Sequence, residues 1–481
     1  MKNKTKVLLL LNFTILLSIS FIFTGCNNTQ DTAYDPANYL IEKTNPADFH
    51  AKRLTDKESP YTMCFENTDG TNSLYIFTSP IAYYDDKEQL KAIDNTLTKT
   101  KDKNLKNKGY ELEQKSNDIQ SYFPKDLKKT PFLLKNISNN KNTEFEFKPN
   151  ENFIDMNLKE STFLDLLGRE HSSAIYQDKK SNDIIIEYIP TSSGITANII
   201  INEKPENEQI DFYISQQDKW NYDITDNEYI LFKENETNEP KAIIRASHLK
   251  DANGICSYDN KISVKNGLGK CVYSIKPDTG FLNDPNIKYP LSLSTSFELY
   301  RSTTPDTTVY SDKPDENLYL ADYAVLGDNK TFGSSINYIR FRVNYVFKSY
   351  AENVKSAEYV STILSKDQKE ISVNMLRLKD IWSSTVMNWN SRSKTYDVES
   401  TANISSSGRY GFDITKFIKA CVKDDKWDTE SCGLAMAAQD NSIGSKIIST
   451  GDNALYRPYV RIDFYDLPWT YERVFSINPD G

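Results

Sequence analysis

Ile339-Arg340-Phe341-Arg342-Val343-Asn344-Tyr345-Val346-Phe347 alternates apolar and polar side chains with a period of two. On a pleated strand this puts Ile339, Phe341, Val343, Tyr345 and Phe347 on one face and Arg340, Arg342 and Asn344 on the other, the pattern of a sheet with one wet face. The period returns on either side. Val460, Ile462 and Phe464 alternate with Arg461 and Asp463, and Ile371, Val373 and Met375 alternate with Ser372 and Asn374. Residues 184–189 and 199–201 read as more fully buried strands, and Asn266-Gly267 as a tight turn. Helical spacing is confined to a short stretch, where Ile414, Phe417, Ile418, Cys421 and Val422 follow a capping Asp413. That helix is expected to plug one end of a sandwich. The fold class is therefore mainly β, a C-terminal β-sandwich preceded by two β-rich modules.

The chain opens with Lys2, Lys4 and Lys6 and an uncharged run from residue 7 to residue 23, the charged-then-apolar order of an export signal. Phe23-Thr24-Gly25-Cys26 resembles the lipobox of bacterial lipoproteins, which implies cleavage before Cys26 and lipidation of its thiol, with attachment to the outer face of a membrane. Loss of residues 1–25 removes three lysines and no acid, so the formal charge moves from -9 to -12. A surface of that sign repels phosphate backbones and argues against nucleic acid as a partner. Residues 26–55 read as a flexible tether, 56–154 and 155–301 as β-rich modules, 302–468 as the sandwich and 469–481 as a tail. The lysine-rich stretch 98–108 and the polar stretch 135–152 read as solvated loops.

Catalytic motifs are not found. His50, His171 and His248 are too far apart in sequence to make a local ligand pair, and neither a nucleophile elbow nor a phosphate-cradling loop occurs. Cys256 and Cys271 flank a candidate hairpin, and Cys421 and Cys432 bracket a helix-to-strand loop, so each pair either forms a short-range disulfide or stays as buried thiols. Asp306, Asp312, Asp315 and Asp322 supply oxygens of the kind that hold a structural calcium ion, although no complete calcium loop is present. Trp382 and Trp389, seven residues apart, are candidates to stack on sugar rings.

Residues 303–466 resemble the DNRLRE family, bacterial surface modules related to the disaggregatase carbohydrate-binding modules. The resemblance runs through Asp306-Thr307-Thr308-Val309-Tyr310, Pro314 and Asn317, Tyr338-Ile339-Arg340-Phe341, Ser356-Ala357-Glu358, and Trp382, Trp389 and Asn390. It continues through Phe412-Asp413-Ile414-Thr415, Gly433-Leu434-Ala435 and Arg457-Pro458-Tyr459-Val460. Arg392 and Cys421 replace a proline and a tryptophan common in the family. Upstream, Leu74-Tyr75-Ile76-Phe77, Ile93-Asp94-Asn95-Thr96, Phe123-Pro124-Lys125 and Tyr289-Pro290-Leu291 resemble the segment that precedes such modules in wall-associated and RHS-repeat proteins. The resemblance implies a jelly-roll-like form for the C-terminal β-sandwich and a non-catalytic surface lipoprotein that binds a cell-wall or environmental polysaccharide through Trp382, Trp389 and Arg340. The alternatives are a structural protein or one that binds a surface protein partner, and, third, a secreted hydrolase with its site between modules.

Overall fold

Leu74 stands opposite Ile462 and Ile76 opposite Val460, so a strand near the start of the fold is completed by one near its end. The computed structural model describes residues 50–465 except 139–142, 151–155, 179–183, 206–208, 216–219, 226–228, 246–248, 258, 268–269, 302–304, 341–350, 366–368, 425–432 and 440–443. Two antiparallel β-sandwiches account for most of these residues.

The first sandwich pairs a sheet of eight strands with one of ten, counted among the described residues. The eight-stranded sheet runs from the Lys261–Gly267 hairpin arm through Ile210–Ile214, Thr143–Pro149, Phe132–Asn136 and Ile119–Pro124 to Thr98–Lys99 at its edge. The other runs from Met156–Leu164 through Glu170–Asp178, Ile184–Pro190, Gly194–Ile201, Leu291–Leu299 and Pro240–Arg245 to Trp220–Thr225. One continuous core lies between them. Phe147 stacks on Phe297 with ring centroids 3.9 Å apart, and Phe132 meets Tyr188 at 4.2 Å, each contact joining the two sheets. The expected boundary at residue 155 is thereby corrected. Modules 56–154 and 155–301 are not separate, because residues 147–149 pair with residues 212–214 and the two stretches share one core.

The second sandwich is built from residues on both sides of the first. Its larger sheet has the order His50–Arg53, Thr62–Asn67, Asn72–Phe77, Tyr459–Phe464, Val354–Ile363, Ser445–Ser449 and Tyr323–Gly327, with Gly408–Asp413 also on Val354–Ile363. The facing sheet runs Lys313–Leu318, Asp306–Tyr310, Ser335–Ile339, Leu434–Ala438, Ile371–Leu378 and Tyr396–Ile404. Residues 50–77 therefore belong with the C-terminal sandwich, so a paired strand begins at His50, inside the stretch 26–55 expected as a tether; residues 26–49 lie outside the described residues. The Thr415–Asp424 helix buries Phe417, Ile418 and Cys421 in this core, and Asp413 Oδ1 accepts the Thr415 N–H at 2.9 Å, as its spacing predicts.

Three further expectations change. Residues 135–152 are not one loop: Phe145 and Phe147 alternate with Glu144 and Glu146, and the two rings enter the core. Asn266 and Gly267 lie within the hairpin ladder opposite Cys271 and Lys270 and do not form the expected turn; residues 268–269 lie outside the described set. Of the opening strand, Ile339 is buried as predicted, but residues 341–347 also lie outside the described set.

Candidate functional site

The outer face of the ten-stranded sheet carries a polar row on consecutive strands. Glu187, Asn198 and Ser294 occupy alternate, outward positions, since Ile186, Tyr188, Ile199, Leu293 and Phe297 point into the core. They are linked side by side. Ser294 Oγ donates to Asn198 Oδ1 at 2.7 Å, Asn198 Nδ2 to Glu187 Oε2 at 3.4 Å, and Ser173 Oγ to Glu187 Oε1 at 2.8 Å. Thr196 and Ser296 share a hydroxyl–hydroxyl bond of 2.9 Å in the next row.

The second sandwich lies over part of this face and leaves a cleft of about 560 Å³. Its floor is the polar row, and its walls include Phe163 and Leu164 from one sandwich and Tyr323, Leu364 and Tyr456 from the other. The 165–169 turn holds one wall in place. Arg169 Nη2 donates to the Leu455 carbonyl at 2.9 Å, the Leu166 N–H donates to the Tyr456 hydroxyl at 3.2 Å, and the Arg169 guanidinium lies 5.5 Å from the Tyr456 ring centre. His171 contacts Asp165 at 2.8 Å inside this turn. Burial pushes the Asp165 carboxyl up, but the hydrogen bond from His171 and the charge of Arg169 hold it well below the usual carboxylate range.

Buried charges close the end of the cleft. Arg245 Nε pairs with Glu298 Oε1 at 3.1 Å and Nη2 with Asp452 Oδ1 at 3.3 Å, while Nη1 donates to the Leu320 carbonyl. One guanidinium thus ties the first sandwich to two loops of the second. Nearby, burial pushes the Asp322 carboxyl up to about 7 against the opposing pull of Arg245. Burial and then the negative charge of Asp452 push Asp306 well up as well. Arg457 makes a second tie, donating to the Pro80 carbonyl at 2.5 Å and to Ser192 Oγ at 3.0 Å.

The residues singled out from the sequence lie elsewhere. Trp382 is only 3% exposed, packed among Tyr338, Leu378 and Met387, so its ring is not a stacking platform. Gly433 backs it so closely that a Cβ there would stand 2.4 Å from Trp382 Nε1. Arg340, expected on a wet face, is buried, with its guanidinium 5.0 Å from the Trp382 ring centre and Nη2 donating to the Trp382 carbonyl. Trp389 is half-buried and one ring face is covered by Arg392 at 3.8 Å. Asn317 Nδ2 donates to the carbonyls of Ser384 and Met387, both at 2.6 Å, and Asn390 Nδ2 donates to Asp315 at 2.8 Å. The motif residues therefore fasten a loop onto the sheet.

Cys256 and Cys271 are not joined: Cys271 is a core thiol whose buried setting pushes its pKa up to about 11, whereas Cys256 lies on the other sheet with Sγ donating to the Gly254 carbonyl at 3.5 Å. Cys421 is buried, and Cys432, Cys26 and His248 lie outside the described residues. His50 bonds Asn67 at 2.7 Å and Tyr75 at 2.9 Å. Asp306, Asp312, Asp315 and Asp322 do not converge, and among the described residues no group of three or more His, Cys, Asp or Glu is placed to hold a metal ion. No described helix is long and apolar enough to cross a membrane.

No family model and no curated protein matches the chain. Among solved structures it is similar to an exo-β-1,3-galactanase from Phanerochaete chrysosporium: the E208Q form with β-1,3-galactotriose aligns at 8% identity and a TM-score of 0.13 over 81% of this chain and all of that one. The form with galactose aligns at 7% and 0.12 over 81% of this chain and all of that one. Agreement at that level carries no argument about the site.

Proposed function

We propose that this chain is an exported surface lipoprotein that holds a polysaccharide, without cleaving it, in the cleft between its two sandwiches. The observation that carries this reading is the row of Glu187, Asn198 and Ser294 on the cleft floor. Alternating acceptors and donors on a rigid sheet suit the hydroxyls of a sugar, and the Phe163 and Tyr456 rings in the walls suit its C–H faces. The cleft volume lies in the usual range for small-ligand sites. The resemblance of residues 303–466 to carbohydrate-binding modules supports the same ligand class, while the burial of Trp382 moves the contact away from that ring.

The full chain is expected to be retained saturably on one member of a panel of neutral polysaccharides and purified cell walls. Asn198→Ala with Ser294→Ala removes two hydrogen-bonding groups at about 1 kcal/mol each and weakens retention on the order of tenfold or more. Trp389→Ala leaves retention unchanged. Absence of retention on every member, with the fold intact, replaces this reading by a structural or protein-interaction role. The hydrolase alternative is favoured by Asp322, whose pKa of about 7 in the cleft wall suits a proton donor. Release of reducing ends from the retained polymer decides between binding and cleavage. For the anchor, labelled palmitate is expected to enter the chain expressed in a Gram-positive host and to be lost in Cys26→Ser.

A further inference from the structure

The bonds inside the polar row of the cleft fix what it has left for a ligand. A carboxylate only accepts, so Asn198 turns Nδ2 toward Glu187 and Oδ1 toward Ser294, and the Ser294 hydroxyl, like that of Ser173, has to donate. Both hydroxyl protons are thereby used within the row, and Ser173 is fully buried. Glu187, Asn198 and Ser294 are half-buried in the cleft lining. What they can still offer is the Ser294 oxygen, one Asn198 N–H and the open lone pairs of Glu187. At this row the floor is rich in acceptors and poor in donors.

The charge has the same sense. Asp165, Glu187, Glu298 and Asp322 line the cleft against Arg245 and Lys250. Asp165 is answered by Arg169 at 2.6 Å, and Arg245 is taken up by Glu298 and Asp452. Lys250 stands opposite Ser292, and the pairing of residue 187 with 198 and of 198 with 294 puts its strand three spacings from that of Glu187, on the order of 14 Å. Glu187 forms no ion pair among the described residues. A carboxylate held in one orientation by two neutral donors therefore stands on the cleft floor without a counterion.

Taking the cleft to be the polysaccharide site proposed above, we infer that the polymer it holds is an amino sugar with free amines, one ring ammonium sitting on Glu187. An ammonium brings three N–H donors and the missing positive charge to the place where acceptors converge. A ring amine comes with hydroxyls on adjacent carbons, which the remaining Asn198 N–H and the Ser294 oxygen meet, whereas a lysine side chain brings none. N-acetylation removes the charge and sets a carbonyl acceptor among acceptors, and a uronic acid brings a like charge. Both are disfavoured by groups left without partners.

The test uses the full chain and soluble glucosamine oligomers in β-1,4 and β-1,6 linkage, each with free amines and fully N-acetylated, with trilysine as a comparison. Titration calorimetry is run at a mildly acid pH that keeps the amines protonated. At least one free-amine oligomer is expected to bind tenfold or more tighter than its acetylated form, with an affinity that falls as salt is raised while that of the acetylated form does not. Glu187→Gln is expected to abolish this preference, losing at least tenfold on the free-amine oligomer and less than twofold on the acetylated one. Glu66→Gln, at an exposed position in the other sandwich, changes neither. Should Glu187→Gln fail to fold, carbodiimide coupling of the bound amine to the unaltered chain, located at Glu187 and not at Glu66 by peptide mass, takes its place. Equal or tighter binding of the acetylated oligomers overturns the assignment of free amines and leaves the polysaccharide cleft standing. Failure of every oligomer overturns it too, and overturns the cleft reading with it only if the wider panel is also not retained. Tighter binding of trilysine, equal loss in Glu66→Gln, or coupling elsewhere than Glu187 likewise overturns the assignment.

Discussion

Replacing Arg245 by methionine is expected to destabilise the folded chain by about 3–5 kcal/mol near pH 8, read from urea unfolding. The guanidinium bridges Glu298 in the first sandwich and Asp452 in the second, and all three side chains are buried. Burying charges is costly, and removing one partner leaves the others uncompensated in a poorly solvated place. Here one removed cation leaves Glu298 and Asp452 beside Asp322 and Asp306, two carboxyls whose pKa values burial pushes up, so the loss is concentrated at pH values where Asp322 and Asp306 are ionised. At pH 5, where Asp322 and Asp306 keep their protons, the defect is expected to shrink. Combining Arg245→Met with Glu298→Gln and Asp452→Asn restores much of the stability if unpaired charge is the cause. A defect of equal size at both pH values, with no rescue, would instead assign the effect to lost packing and the lost bond to the Leu320 carbonyl.

Asp322→Asn is expected to be more stable than the parent above pH 7 by roughly 4 kcal/mol. The folded carboxyl holds its proton to about pH 7, whereas an unfolded chain releases it near the ordinary 3.8. Between those values the folded state binds the extra proton, so the contribution of Asp322 is fully present below about pH 4 and declines as pH rises to about 7. At about 1.4 kcal/mol for each pH unit, that interval gives the stated difference. Asparagine has no proton to lose. Its stability curve is therefore expected to be flatter over this window, and parallel curves for variant and parent would refute the assignment.

Much of the β character was legible because alternation is local. Val460, Ile462 and Phe464 are all in the core, and Asp413 caps the helix it precedes. Partnership was not legible, since nothing in Leu74 or Ile76 specifies strand neighbours nearly 390 residues later. Nor was the fate of Trp382, which is decided by Asn317 and Gly433 closing around its loop. The cleft left a fainter sign. Ser292, Ser294 and Ser296 alternate with Leu291, Leu293 and Phe297, and Asn198 and Glu187 sit among isoleucines, so a polar row on adjacent strands was written in the sequence. Its meaning required knowing that those strands are neighbours and that a second sandwich stands above them.

The pairing of Asn72–Phe77 with Tyr459–Phe464 also bears on how the molecule is made. The first sandwich is an insertion in the second, so the early hairpin waits as an unfilled sheet edge until residues 459–464 have been synthesised. Contacts of such long sequence separation form slowly. The first sandwich, whose strands lie within one continuous stretch of chain, has no such wait and supplies a folded bridge that brings the two distant strands together. A fragment cut at residue 302 lacks Cys64, Leu74 and Ile76 from its core and exposes the edge of the Tyr459–Phe464 strand, leaving a surface prone to pair with a second copy.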